Sequence, residues 1–137
     1  WFEAHYMYRK QLAKFAEQFD GVEVKFRCGV ESFDGELREQ WKKGIAANVT
    51  VADVAKHFQG VCLLCCTKGD TKERILRAIA LAEQYFEYAS VNVFCENSTS
   101  VKRDDGLAKW FVEEVYPTLK QSKKIEILIN NTDLGVG

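Results

Sequence analysis

The hydrophobic positions of the chain switch repeatedly between a helical period and a strand period, and the switches predict its elements. Residues 4–19 set Tyr8, Leu12, Phe15 and Phe19 at spacings of 4, 3 and 4, an amphipathic helix, with Gly21 where a C-cap belongs. VEVKFRCGV, residues 22–30, alternates strictly and predicts a strand. Ser32 or Asp34 then caps a short helix carrying Leu37 and Trp41 and ending near Gly44, and Thr50 caps another through Phe58 with Asp53 as a capping-box partner. VCLLCC (61–66) is a second strand and KGD after it a turn. Residues 71–87 form the clearest helix, with Ile75, Ile79, Ala82 and Phe86 on one face. SVNVFCEN (90–97) is a third strand, residues 104–121 a helix that Pro117 bends or ends, and IEILIN (125–130) a fourth strand.

Strands that alternate with helices imply a parallel sheet with right-handed crossovers. Two α/β architectures compete, an open doubly wound sheet and an arc of a barrel, and the strand faces choose between them. Val22, Val24, Phe26, Cys28 and Val30 oppose Glu23, Lys25, Arg27, Gly29 and Glu31. Val91, Val93 and Cys95 oppose Asn92, Phe94 and Glu96, while Ile125, Ile127 and Ile129 oppose Glu126, Leu128 and Asn130. Central strands of a doubly wound sheet are covered on both faces and should be apolar on both. One apolar and one polar face instead predict a partial (β/α) barrel with helices outside and a wet interior.

Composition narrows the function. The 137 residues carry 19 Lys plus Arg against 20 Asp plus Glu, a net charge of −1, which removes the basic excess that nonspecific nucleic-acid binding or a polybasic membrane anchor requires. At 47% hydrophobic and 28% charged, the chain reads as one folded domain, and no apolar run approaches the roughly 20 residues of a membrane helix. Trp1 opens a charged, helical segment rather than a signal peptide, and the five Cys, an odd number, sit mostly in apolar strands, which suits a reducing cytoplasm. A start without Met and an end at Gly135-Val136-Gly137 suggest an excised piece of a cytoplasmic protein.

In parallel barrels the working residues gather at the C-terminal ends of strands. Those positions are Arg27, Glu31 and Ser32; Thr67 and Lys68; Glu96 and Asn97; and Asn130, Asn131, Thr132 and Asp133, with Asn92 beneath them on the polar face. Carboxylates and amides of this kind suit hydroxyl, amino and ribose partners. Cys62-x-x-Cys65-Cys66 lies inside a strand rather than at a strand-to-helix turn, so Cys62 and Cys66 face one way, Cys65 the other, and inert buried thiols are expected. His5 and His57 lack metal-ligand spacing, and no GxSxG or Walker A sequence occurs.

Gly29-Val30-Glu31-Ser32-Phe33-Asp34 followed by Leu37 resembles the GVQSFD segment on the fourth strand of radical SAM enzymes, in the branch of the oxygen-independent coproporphyrinogen oxidases. Cys65-Cys66-Thr67-Lys68-Gly69-Asp70-Thr71-Lys72-Glu73 resembles the fifth-strand stretch G-L-P-G-Q-T-x-E-D, and RILRAIALAEQY the helix after it. SVNVFCENSTSVKRD resembles the sixth-strand segment. The likeness spans roughly residues 22–115, with departures where Cys66 replaces Gly, Lys68 replaces Pro and Ser98-Thr99-Ser100 replaces P-G-T.

The resemblance implies the C-terminal part of a radical SAM barrel. The family's CxxxCxxC cluster motif and GGE segment are absent from the sequence, so the chain is not expected to hold the 4Fe-4S cluster or cleave S-adenosylmethionine (SAM) by itself. It also implies roles: Glu31 and Ser32 at the SAM ribose, Cys66 and Thr67 against adenine, and Asn92, Glu96 and Asn97 at adenine or substrate. Arg27 is expected to pair with Glu31 or with the SAM carboxylate. The implied partners are a small-molecule or modified-nucleoside substrate and a reductant for the cluster. Two other readings stay open: a stand-alone α/β binding domain, and another barrel enzyme using Glu31 and Glu96 as an acid/base pair.

Overall fold

Short runs of β-branched and aromatic residues pair side by side into one parallel sheet. The computed structural model of the chain describes residues 1–96 and 100–129. The strands are β1 (Phe2–Glu3), β2 (Phe26–Glu31), β3 (Gly60–Cys65), β4 (Tyr88–Val93) and β5 (Ile125–Leu128). They lie in chain order, β1-β2-β3-β4-β5, all parallel. A doubly wound sheet reverses its strand order at a switch point, and this one does not. The fold is therefore α/β, a partial barrel whose described strands do not close.

Alternation splits the sheet into two faces. Cys28, Val30, Val61, Leu63, Ala89, Val91 and Ile125 point to the helices, each at most 2% exposed. Register puts Arg27 beside Gly60, Leu64 beside Asn92, and Asn92 beside Leu128 on the opposite, inner face. That face is the polar one the alternation predicts.

Helix α4 (Lys72–Tyr85) starts at Thr71, whose hydroxyl accepts from the Arg74 N–H. It buries Ile75, Ile79 and Ala82 against the sheet, worth about 1.5–3 kcal/mol for each large aliphatic side chain. The capping box at α3 (Val51–Ala55) forms as read, with Thr50 and Asp53 bonding each other's backbone.

Several expectations need correction. The helix read over 4–19 is instead β1, a 3₁₀ turn (Tyr6–Tyr8) and the short α1 (Leu12–Ala16). The helical spacing of Phe15 and Phe19 serves an aromatic cluster in which both rings meet Phe2, at 5.1 and 5.3 Å between centroids. The sheet gains a fifth strand because Phe2 and Ala4 donate to the Lys25 and Arg27 carbonyls. The second strand starts at Phe26 rather than Val22, which is 63% exposed and has no neighbour to pair with. The strand read over 90–97 begins at Tyr88 and ends at Val93.

Pro117 does not end the last helix, which continues to Leu119. It has no N–H for the Glu113 carbonyl, so the helix widens by one residue. A π turn (Phe111–Val115) joins α5 (Asp105–Trp110) to α6 (Tyr116–Leu119), and the Tyr116 N–H reaches back to Phe111 O. Among the described residues no helix is long and apolar enough to cross a membrane.

Candidate functional site at the strand ends

Two strand ends carry unusual backbone. Glu31, the last residue of β2, has φ +65°, and Cys66, just beyond β3, has φ +70°. Left-handed φ is uncommon for residues with a Cβ and collects at sites where structure over-determines the backbone. At Cys66 the conformation is one that glycine, the residue of the resembled segment, adopts without steric cost, so the cysteine carries strain there. The β2–β3 register slips between Cys28 and Glu31, which turns Glu31 out of simple alternation.

Glu31 is buried, yet its carboxylate meets a cation: Lys43 Nζ lies 3.4 Å from Oε1. Burial pushes the Glu31 carboxyl above its ordinary value; Lys43 pulls it down and Glu3 adds to the rise. Burial outweighs the ion pair. Arg27 does not pair with Glu31; its Nε lies 3.4 Å from Glu3 Oε2. Both carboxylates reach over Gly29, where a Cβ would stand 3.5 Å from each.

Ser32 is buried beside Glu31, and its hydroxyl accepts from the Asp34 N–H at the start of α2 (Gly35–Gln40). Together with Leu63, Leu64 and Cys65, Glu31 and Ser32 line a cleft of about 20 Å³, room for about one water. Beyond β3 the backbone is laced: Asp70 accepts from the Cys66 N–H, Lys68 N–H donates to Lys102 O, and Asp104 N–H donates to Cys66 O. KGD is thus a turn, with Gly69 at φ +95° and the Lys68 side chain exposed. Burial pushes the Asp70 carboxyl up.

Two buried oxygens lack partners among the described residues: Thr67 Oγ1 after β3 and Asn92 Oδ1 on the inner face of β4. An unpaired buried polar atom costs about 1–3 kcal/mol and calls for a reason. Glu96, by contrast, is exposed and accepts from the Arg103 N–H at 3.4 Å, so its surroundings differ from those of Glu31. Asn97, Asn130, Asn131, Thr132 and Asp133 lie outside the described residues.

The cysteines are buried except Cys95, which is half-buried. Cys62 lies on the inner face, where desolvation raises its thiol and the Ser90 hydroxyl opposes the rise. Cys66 does not continue the alternation that would set it beside Cys62: its left-handed backbone leaves its sulfur 3.5 Å from that of Cys65. That contact, with burial, holds the Cys65 thiol well above its ordinary value. No described group of three His, Cys, Asp or Glu side chains could hold a metal ion.

Sequence reasoning missed Lys43 and Arg38. Arg38 is 1% exposed and gives its guanidinium to four backbone carbonyls, those of Ser32, Ile45, Ala46 and Val49. Nothing local marks either residue. The one hint is Gly35, where a Cβ would come within 2.5 Å of Ala47 O, so the loop after α2 must double back on the helix start.

Parallel strands in chain order, with a polar inner face and a buried carboxylate at one strand end, define the class: an arc of a parallel (β/α) barrel. A solved structure bears this out. The chain is similar to a queuine lyase from Clostridium spiroforme bound to SAM and queuine, a radical SAM enzyme, with a TM-score of 0.87 and 36% identity. The match covers 99% of this chain and 59% of that one, so the chain spans less than two thirds of its neighbour's length. No family model matches the chain, and no curated protein matches its sequence.

Proposed function

We propose that this chain is the part of a radical SAM enzyme that orients SAM and a modified base related to queuine at its strand ends. The observation that carries this reading is the pair of buried oxygens without partners among the described residues, Thr67 Oγ1 just after β3 and Asn92 Oδ1 near the end of β4. Groups of this kind fit a ligand that supplies N–H or O–H donors, as ribose hydroxyls and base amines do.

Glu31 and Ser32 would take the ribose hydroxyls, and Cys66 and Thr67 would border the adenine. Asn92 and Glu96, with Asn97 beyond them, would reach adenine or substrate, and Arg27 would add charge beneath. When bound, SAM supplies the radical chemistry, and the protein supplies orientation and exclusion of water. The described residues do not fit a 4Fe-4S cluster, since no three of their His, Cys, Asp or Glu side chains gather as ligands. The cluster and the contact with its reductant would belong to other parts of the enzyme.

Calorimetric titration of the full-length protein with SAM tests the reading. Glu31→Ala should weaken SAM binding several-fold or more, and Asn92→Ala should weaken SAM or queuine. Wild-type affinity for both ligands in both variants would overturn it.

A further inference from the structure

Cys65 closes β3, and Cys66 follows it with left-handed backbone, φ +70°. Simple alternation would send the two side chains to opposite faces of the sheet. The turned backbone instead brings Cys66 Sγ to 3.5 Å from Cys65 Sγ, and both residues are buried. Strained backbone of this kind persists where its surroundings over-determine it. Here Asp70 accepts from the Cys66 N–H at 3.2 Å, and the Asp104 N–H donates to Cys66 O at 2.8 Å. Among the described residues the sulfur partner of Cys66 is Cys65, so the strained position sets a pair of thiols in place.

One of the two is reachable. Cys65 lines the cleft of about 20 Å³ between the strand ends and α4, with Glu31, Ser32 and Asp70 around it. Room for about one water excludes bulky alkylating reagents and admits a molecule little larger than water. Cys66 is not among the walls of the cleft, so a reagent there meets Cys65 first. A bond between the two sulfurs would be a labile one. Adjacent Cα atoms stand about 3.8 Å apart across a trans peptide, short of the roughly 4.4–6.8 Å span of ordinary disulfides. Strained disulfides are the readily reduced ones, suited to regulation rather than to stability.

From this arrangement we infer that Cys65 and Cys66 are a modification site, a vicinal dithiol that hydrogen peroxide entering the cleft converts reversibly to a disulfide. The Cys65 sulfur attacks the peroxide: an S–O bond forms, the O–O bond breaks, and the departing oxygen leaves as water with the Cys65 proton. The Cys66 sulfur then attacks Cys65: the S–S bond forms, the S–O bond breaks, and a second water leaves with the Cys66 proton. Two electrons pass from the sulfurs to the peroxide, and a dithiol reductant returns them. Burial and the neighbouring sulfur hold the Cys65 thiol well above its ordinary value, so its thiolate is scarce and the conversion is slow and follows peroxide dose. Closing the ring pulls Cys66 from its present backbone and loosens its bonds to Asp70 and Asp104, so the oxidised form should bind SAM more weakly. That consequence, unlike the dithiol itself, rests on the proposed adenine border at Cys66 and Thr67.

The test treats the reduced full-length protein with hydrogen peroxide or tert-butyl hydroperoxide, alkylates it in denaturant and maps its peptides by mass. Hydrogen peroxide should give a peptide spanning Cys65 and Cys66 that is two hydrogens lighter and unalkylated. The bulkier peroxide should do so several-fold more slowly, and dithiothreitol should restore both thiols. In Cys66→Ser no disulfide can form there, and Cys65 should stop as a sulfenic acid that dimedone traps. Calorimetry should show SAM binding several-fold weaker to the oxidised wild type and recovered by dithiothreitol, with no recoverable change in Cys65→Ala, which lacks the attacking sulfur. Two alkylated thiols at Cys65 and Cys66 after peroxide, under conditions that oxidise the half-buried Cys95, overturn the inference and leave the SAM site standing. A mapped disulfide with unchanged SAM affinity overturns the place given to Cys66 and Thr67 at the adenine and leaves the dithiol standing.

Discussion

Replacing Arg38 with Met removes a buried cation that has no carboxylate partner among the described residues and serves four carbonyls. Hydrogen bonds to a charged donor contribute about 1.5–3 kcal/mol each, but the cost of burying the guanidinium vanishes with them. Ala46 is exposed and its carbonyl can turn to water, whereas Ser32 and Ile45 are buried, 9% and 4% exposed, and their carbonyls cannot. Two orphaned acceptors at about 1–3 kcal/mol each give a loss of about 2–6 kcal/mol. Against a typical stability of about 5–15 kcal/mol, that is a large share. Urea unfolding of the full-length protein checks it, with Trp41 at the C-cap of α2 as a local fluorescence reporter. Arg38→Lys should fall between wild type and Arg38→Met. An unfolding free energy for Arg38→Met within about 0.5 kcal/mol of wild type would refute the reasoning, because the four bonds would then be worth nothing net.

Because burial raises the folded-state value of Glu31, its contribution to stability is present at acid pH and is lost as pH rises through that raised value. Wild type should therefore lose stability relative to Glu31→Gln as pH rises above the ordinary carboxylate range, read from melting curves across pH; a difference that is flat or grows in favour of wild type counts against it. The thiols offer a second check, since burial drives Cys28 up to about 12 and Cys62 and Cys65 also upward. Iodoacetamide at pH 8 followed by peptide mapping should label Cys95 well ahead of Cys28, Cys62 and Cys65, with all becoming reactive in denaturant.

The sequence made the strand faces and α4 legible because each rests on many residues repeating one period. Ile75, Ile79 and Ala82 all reach the core, and Phe86 follows them there. It hid β1 because two residues cannot show a period, and it misread the first helix because aromatic rings at helical spacing were gathering around Phe2 instead. Glu31 was readable as a polar strand end; its partner was not, since the pairing with Lys43 depends on how a loop closes 12 positions later in the chain. Arg38 follows Leu37 on a short helix, where a charged side chain ordinarily marks the solvent side. Its burial comes from the carbonyls of the returning loop, a tertiary demand with no local trace. Pro117 announced a disturbance, but not that a widened turn would absorb it.

The left-handed residues at two neighbouring strand ends have an evolutionary consequence. A single nucleotide change turns a glutamate codon or a cysteine codon into a glycine codon, and glycine relieves the strain at positions of this kind. Drift toward stability thus has a short road open at Glu31 and at Cys66. A chain that keeps side chains there gives up conformational ease for what those side chains touch, the exchange by which working sites are set apart from scaffold. Variant libraries at these positions should consequently enrich glycine under selection for folding.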